Sequence, residues 1–423
     1  MTRFRRLTIG TLALLSAGAL TLTGCSGGGK GGNDDNVLRI AMGSPGEAQI
    51  RVWDAVAEQF ESDNPDYTVE MNYLDDDLYH TIGLPNLLNG RKAPDIYFEW
   101  AGARLQQRFD DGFAADLTDA VTTGPLSELF DPAVFDSLTI DDQVVMVPHS
   151  ADVTNVLWYN EDLLAGAGVT PPATWDELLA ACDTLNAQGI TPIASGNKDL
   201  WAAGNWLAHV VSRVVGEDVY DATLAGKASF STPEWEEAFG YVAQLADHKC
   251  LNESANAVDD NEGAQLFFQG KAAMHPIGSW LVSWAIDEAP DLNFDYVNWP
   301  AMPGVGNQDS VIGVVTGYVV NAKSTKQDAA AEFLALLNSD TYVAQFIEAE
   351  LTPMTLSAAG GEGIDSRTAS LSELLATAPA IVLPPDNGYD LEMANAFYSA
   401  LAEVMGGQSS PTDALAGIDK KLG

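Results

Sequence analysis

Apolar positions along this chain switch between a strand-like and a helix-like period, and the switching predicts strands alternating with helices from the first globular residues onward. Val37–Met42 reads as a β-rich segment. Residues 47–62 then place Ile50, Trp53, Val56, Ala57 and Phe60 on one helical face, ending before Asn64-Pro65. The residues from Tyr67 to Tyr73 form a second strand pattern. A helical stretch follows around residues 78–89, closed by Gly90, and Ala93 to Phe98 gives a third strand. Strands separated by helices argue for a parallel sheet with helices on both faces. Short strand patterns at 143–147 and 154–159 flank Pro148-His149-Ser150-Ala151-Asp152. Asn160 onward is helical, and Thr174-Trp175-Asp176-Glu177 has the spacing of a capping box. Helix-rich sequence runs on to Trp284. Strand character returns at 294–299 and 311–320, a helix follows at 326–337, and helical sequence dominates from residue 340, broken at Gly360–Gly363 and at Pro384–Gly388.

The order strand-rich, helix-rich, strand-rich, helix-rich implies two α/β lobes built from discontinuous segments and joined by a hinge. The expected first lobe takes residues 37–147 and 295–345, the second 148–294 and 346–423, with crossings near Pro148, Pro300 and Thr352-Pro353.

The N-terminus changes the picture of where such a body resides. Arg3, Arg5 and Arg6 precede an uncharged run from Leu7 to Leu22, the layout of a secretory signal and too short for a comfortable membrane span. Leu22-Thr23-Gly24-Cys25 resembles the lipobox of bacterial lipoproteins, and the resemblance implies that Cys25 is lipidated and becomes the first mature residue. Residues 1–24 are thus expected to be a signal peptide. Residues 25–36, rich in Gly and without core-forming side chains, are expected to be a flexible tether. The expected location is extracytoplasmic, on the outer face of the cell membrane, with the lipid as the sole membrane contact.

Removing residues 1–24 takes three arginines and leaves 17 basic against 60 acidic residues, a formal charge of −43. Such a surface repels phosphates and anionic lipid, which excludes nucleic acid and peripheral membrane binding and favours a neutral polar or cationic solute. Beyond Cys25 the chain has Cys182 and Cys250, which in an exported protein form either one disulfide or two buried thiols.

Several motifs, in order, resemble the extracellular solute-binding proteins of bacterial ABC importers, in the carbohydrate branch that includes maltose-binding protein. They are Pro94 to Trp100; Val147 to Asp152 with Leu157 to Leu164; Gly270 to Met274 with Ile277 to Trp280; and Ser409 to Leu415. The resemblance spans about Leu38 to Leu415. It implies a type II periplasmic-binding-protein-like fold, a non-enzymatic monomer without cofactor or bound metal, a carbohydrate ligand (an oligosaccharide foremost) and the permease subunits of an ABC importer as partners.

A pyranose has an apolar C–H face and a belt of hydroxyls, so its sites pair flat aromatic rings with charged or amide groups. Trp100 and Trp280 match the family's stacking positions. Trp201, Trp206 and Trp284 lie in regions read as loops or helix starts near a cleft, whereas Trp53, Trp158, Trp175 and Trp235 read as core. Asp152 matches an acidic sugar contact of the family, and Arg104 a cleft residue. Glu99 flanks Trp100, Ser44 and Glu47 close the first strand, Asp77 follows the second, and Asp386 with Tyr389 sits at the Pro-Pro turn. No phosphate loop, nucleophile elbow or zinc helix is present, and the five histidines lack metal-ligand spacing. Two other readings stay open on residues alone: a lipoprotein glycoside hydrolase, which needs two carboxyl groups across one bond, and a receptor for a non-sugar solute such as a polyamine.

Overall fold

A computed structural model describes residues 36–358 and 364–422. Cys25, the signal segment and nearly all of the tether lie outside the described residues. Two principal sheets organise the rest. In the larger one, β1 (Val37–Gly43) lies between β2 (Thr68–Leu74) and β3 (Ile96–Trp100), all parallel. β1 is central and reads as a nearly continuous apolar run, whereas edge strand β2 alternates exposed and half-buried positions. The helix Glu47–Asp63 follows β1 and buries Val52, Trp53, Val56 and Phe60 against the sheet. β4 (Thr139–Ile140) and β5 (Gln143–Val144) form a small hairpin of their own.

The chain leaves the larger sheet through β6 (Val147–Val153) and enters the smaller one at β7 (Val156–Asn160). The smaller sheet is completed by β8 (Thr191–Ile193), β9 (Ala272–Ile277) and β10 (Phe294–Val297), in the order β10-β7-β9-β8. The return runs through residues 298–310 to β11 (Val311–Val320), which pairs antiparallel with both β3 and β6. After the helix Asp340–Glu348 the chain passes along β6, where the Met354 N–H donates to the His149 carbonyl at 2.8 Å. β12 (Ile381–Val382) then joins β11 before the helices Leu391–Met405 and Pro411–Leu422 pack with the smaller sheet's layer.

Phe294–Val297 was expected to open the first lobe's return, but it pairs with β7 in the smaller sheet; β12, expected in the second lobe, is hydrogen-bonded into the larger sheet. Both shifts are matters of strand partnership, which local periodicity does not encode.

Each sheet has its own core. One gathers Leu38, Ile40, Trp53, Phe60, Tyr97, Val319, Phe333 and Phe346, and the other Trp175, Trp206, Trp235, Phe397 and Leu401. A third, smaller cluster holds Trp158, Phe267, Leu281 and Leu371. The capping box forms as expected, with the Glu177 N–H donating to Thr174 Oγ1 and the Thr174 N–H to the Glu177 carboxylate. Cys182 and Cys250 are joined by a disulfide, with 5.1 Å between their Cα atoms. Among the described residues no helix is long and apolar enough to cross a membrane.

Candidate functional site

The carboxyl ends of the parallel strands open on one side of the larger sheet, the place where ligand crevices form in such sheets. Ser44 follows β1, Asp76 follows β2, and Trp100 ends β3. All three line a cavity of about 170 Å³. The crossing strands form another part of its wall through Ser150 and Asp152 of β6 and Thr316 of β11. Residues that follow or pack on the smaller sheet close it: Trp201, Asn205, Trp280, Ser283 and Trp284, with Asp386 and Asn387 from the Pro-Pro turn.

The aromatic surfaces are built in pairs. Trp100 meets Phe98 edge-on at 4.7 Å between centroids, and Arg104 lies over the Trp100 ring at 5.4 Å. Trp201 and Trp280 are 6.3 Å apart and tilted by 45°. Gly278 makes room for the Trp280 ring, since a Cβ there would sit 2.1 Å from it. Asp386 accepts from Arg104 at 2.8 Å, and its other oxygen lies 2.9 Å from the Tyr398 hydroxyl. Burial alone would lower the Arg104 pKa, but Asp386 and Glu99 outweigh it and hold the guanidinium firmly charged. Asp152 accepts from Ser279 and Ser150, both at 3.1 Å, and from Thr316 at 3.4 Å. Desolvation in the cavity wall raises its pKa despite these three hydroxyl donors.

Seven expected site residues therefore meet at one cavity: Ser44, Trp100, Asp152, Trp201, Trp280, Trp284 and Asp386. Arg104 stands directly behind two of them. Glu47 occupies the exposed first turn of its helix and does not line the cavity. The side chain of Asp77 lies outside the described residues. Glu99 is fully buried and bonded to Arg108 at 2.7 Å, because alternation along β3 turns it to the face opposite Trp100. Trp206 is also fully buried, 4.9 Å from Trp299 in the second core. The loop expected around it is the helix Trp201–Val215, and five residues of helix turn Trp206 away from the face that carries Trp201. The Tyr389 hydroxyl donates to Asp221, away from the cavity.

Sequence reasoning missed Gln49, His149, Thr316, Ser283 and Asn387, which also line the cavity. Gln49 is buried one helical turn before Trp53, a polar residue on an otherwise apolar face, and that was a usable signal. His149 and Thr316 stand out only once the strands are paired, and Ser283 and Asn387 only once the short helices that carry them are seated on the cavity. Among the described residues no group of three or more His, Cys, Asp or Glu side chains is placed to hold a metal.

Two sheets with their own large cores, linked through β6 and the return to β11 and sharing an aromatic and carboxylate cleft, are the arrangement of a solute receptor of the periplasmic-binding type. The chain belongs to the bacterial extracellular solute-binding protein family, whose profile matches residues 45–344. It is 23% identical over 343 residues to an ABC transporter extracellular-binding protein of Pyrococcus horikoshii, covering 78% of this chain and 76% of that one. Its fold matches a protein of xylan utilisation from Caldanaerobius polysaccharolyticus (TM-score 0.83, 23% identity, 92% of this chain and 100% of that one). It also matches a chitin oligosaccharide binding protein (TM-score 0.81, 21% identity, 92% and 98%). The family is one of extracytoplasmic receptors serving ABC transporters, so the chain is a binding protein and not an enzyme, and its fold is the type II periplasmic-binding-protein-like one.

Proposed function

We propose that this protein is a lipid-anchored receptor that captures a neutral sugar, an oligosaccharide foremost, and delivers it to the permease subunits of an ABC importer. The observation that carries this reading is the cavity itself. Four tryptophans, Trp100, Trp201, Trp280 and Trp284, line one space together with Asp152 and Asp386. Flat indoles suit the C–H face of a pyranose, and carboxylates already held by donors suit its hydroxyl belt. The xylan and chitin associations of the two structural neighbours agree with this class of ligand. A polyamine fits the acidic surface, but Asp386 is already engaged by Arg104. The sugar reading is therefore favoured.

Ligand enters between residues 37–147 with β11 on one side and the second layer on the other, and Cys25 holds the body at the membrane through its tether. A thermal-shift screen against maltotriose, xylotriose, chitotriose and spermidine tests the ligand class. A sugar at a hundred times its dissociation constant stabilises by about 2.7 kcal/mol. Trp280→Ala is expected to remove about 2 kcal/mol or more of that sugar's binding energy while leaving cooperative unfolding intact. A shift with spermidine alone, or a Trp280 variant that no longer unfolds cooperatively, contradicts the assignment. Cys25→Ser is expected to move the protein from the detergent phase to the aqueous phase, and equal partition of both forms would sink the anchor.

A further inference from the structure

The pairing of β6 with β11 contains an irregularity at the cavity. Thr316 pairs with Ser150, but the next residue, Gly317, pairs with Pro148, so His149 is one residue too many on its strand. Such a bulge re-aims a side chain and is found beside functional sites. Gly317 is required there, because a Cβ would lie 2.2 Å from the Val147 carbonyl oxygen. The His149 imidazole lies 5.1 Å from the Tyr318 ring and 5.0 Å from Phe346, and His149 and Tyr318 both line the cavity.

His149 is 2% exposed, its Nδ1 and Nε2 are both closed to solvent, and neither has a hydrogen-bond partner. Three other histidines behave differently: His209 reaches the Ser310 carbonyl at 3.1 Å, His275 the Ala194 carbonyl at 3.0 Å, and His248 Asp183 at 2.9 Å. A buried polar group without a partner is costly, and phenylalanine would fill the same aromatic niche without that cost. Folding alone therefore gives no reason for a histidine at this position.

Resting on the sugar-receptor reading above, we infer that His149 is a ligand-reading residue: movement of the crossing strands turns one nitrogen of its neutral imidazole to a hydroxyl of a bound sugar. Burial holds the ring's pKa down to about 3, so it stays neutral across the ordinary pH range. Neutral imidazole carries one donor and one acceptor nitrogen, and a hydroxyl, which both donates and accepts, suits either of them. The ring sits on a strand that crosses between the two sheets, so a change in the angle between the sheets acts directly on the bulge that holds it.

The test uses the sugar among maltotriose, xylotriose and chitotriose that the wild-type protein binds. His149→Phe is expected to weaken its binding tenfold or more by calorimetry while leaving the melting temperature unchanged or higher. His149→Gln, which keeps a donor and an acceptor, is expected to retain most of the affinity. Ring-nitrogen resonances of the histidine-labelled wild-type protein provide a readout independent of how a variant folds. The signals that vanish in His149→Gln are expected to move when sugar is added. Wild-type affinity in His149→Phe, or His149 resonances unmoved by saturating sugar, overturns this inference and leaves the receptor reading standing. A wild-type protein that binds none of the sugars overturns both.

Discussion

Single side chains in this cleft are governed by which face of their element they occupy. Trp100 and Glu99 are neighbours in sequence, yet one lines the cavity and the other is sealed against Arg108. Trp201 and Trp206 divide in the same way on one helix. Burial also sets the acid limit of the fold. Desolvation lowers the pKa of His149 to about 3 and of His275 to about 4, and drives His209 well below the ordinary value, with Arg213 adding to the effect there. Below about pH 6.5 the unfolded chain takes up protons that these three folded-state rings refuse, so folding stability falls as pH drops. Asp152 and Glu350, whose pKa values are raised by burial, act in the opposite sense and reduce the slope. Urea titrations are expected to give up to about 4 kcal/mol less stability at about pH 5.5 than at about pH 7.5. Equal stability at both would show that water reaches the three rings.

At the scale of elements, the helix Trp175–Ala187 and the segment after the helix Pro233–Asp247 are tied by Cys182 and Cys250. The bridge spans 68 residues of sequence, so the chain-entropy account gives it about 4 kcal/mol of stabilisation. Cys182→Ser with Cys250→Ser is expected to lose about that much by denaturant melt without changing sugar affinity, since neither cysteine lines the cavity. A loss of affinity equal to the loss of stability would mean that the bridge shapes the site. Most elements were legible in the sequence. The helix 47–63 follows from its apolar face, and the capping box at Thr174 is realised atom for atom. The partnership of β10 was not legible, because Phe294–Val297 has the same alternation whichever sheet receives it. The helix at Trp201 was hidden by Gly204 and Asn205, both poor helix formers, which burial against Tyr398 overrides. The bulge at His149 leaves no periodic trace at all, since one surplus residue is visible only once Gly317 and Pro148 are paired.

In the molecule as a whole, two large cores stand on either side of one cleft. Each sheet buries its own aromatic cluster, while the layers meet at a cleft whose walls come from both. Trp100 and Ser44 belong to the first layer, and Trp280, Trp284 and Trp201 to the second. A ligand can shift the balance between open and closed arrangements only by its differential affinity for them, so contacts on both walls are what such a receptor requires. The excess of acidic groups repels phosphates and other anions from this body and leaves neutral and cationic solutes free to approach. The most direct measurement is small-angle scattering of the protein with and without the sugar that the thermal screen identifies. Rotation of the two layers about the crossings at β6, at residues 298–310 and at residues 349–355 predicts a smaller radius of gyration in the saturated state. An unchanged radius with sugar demonstrably bound would contradict the account, for it would mean a rigid, preformed site and no hinge.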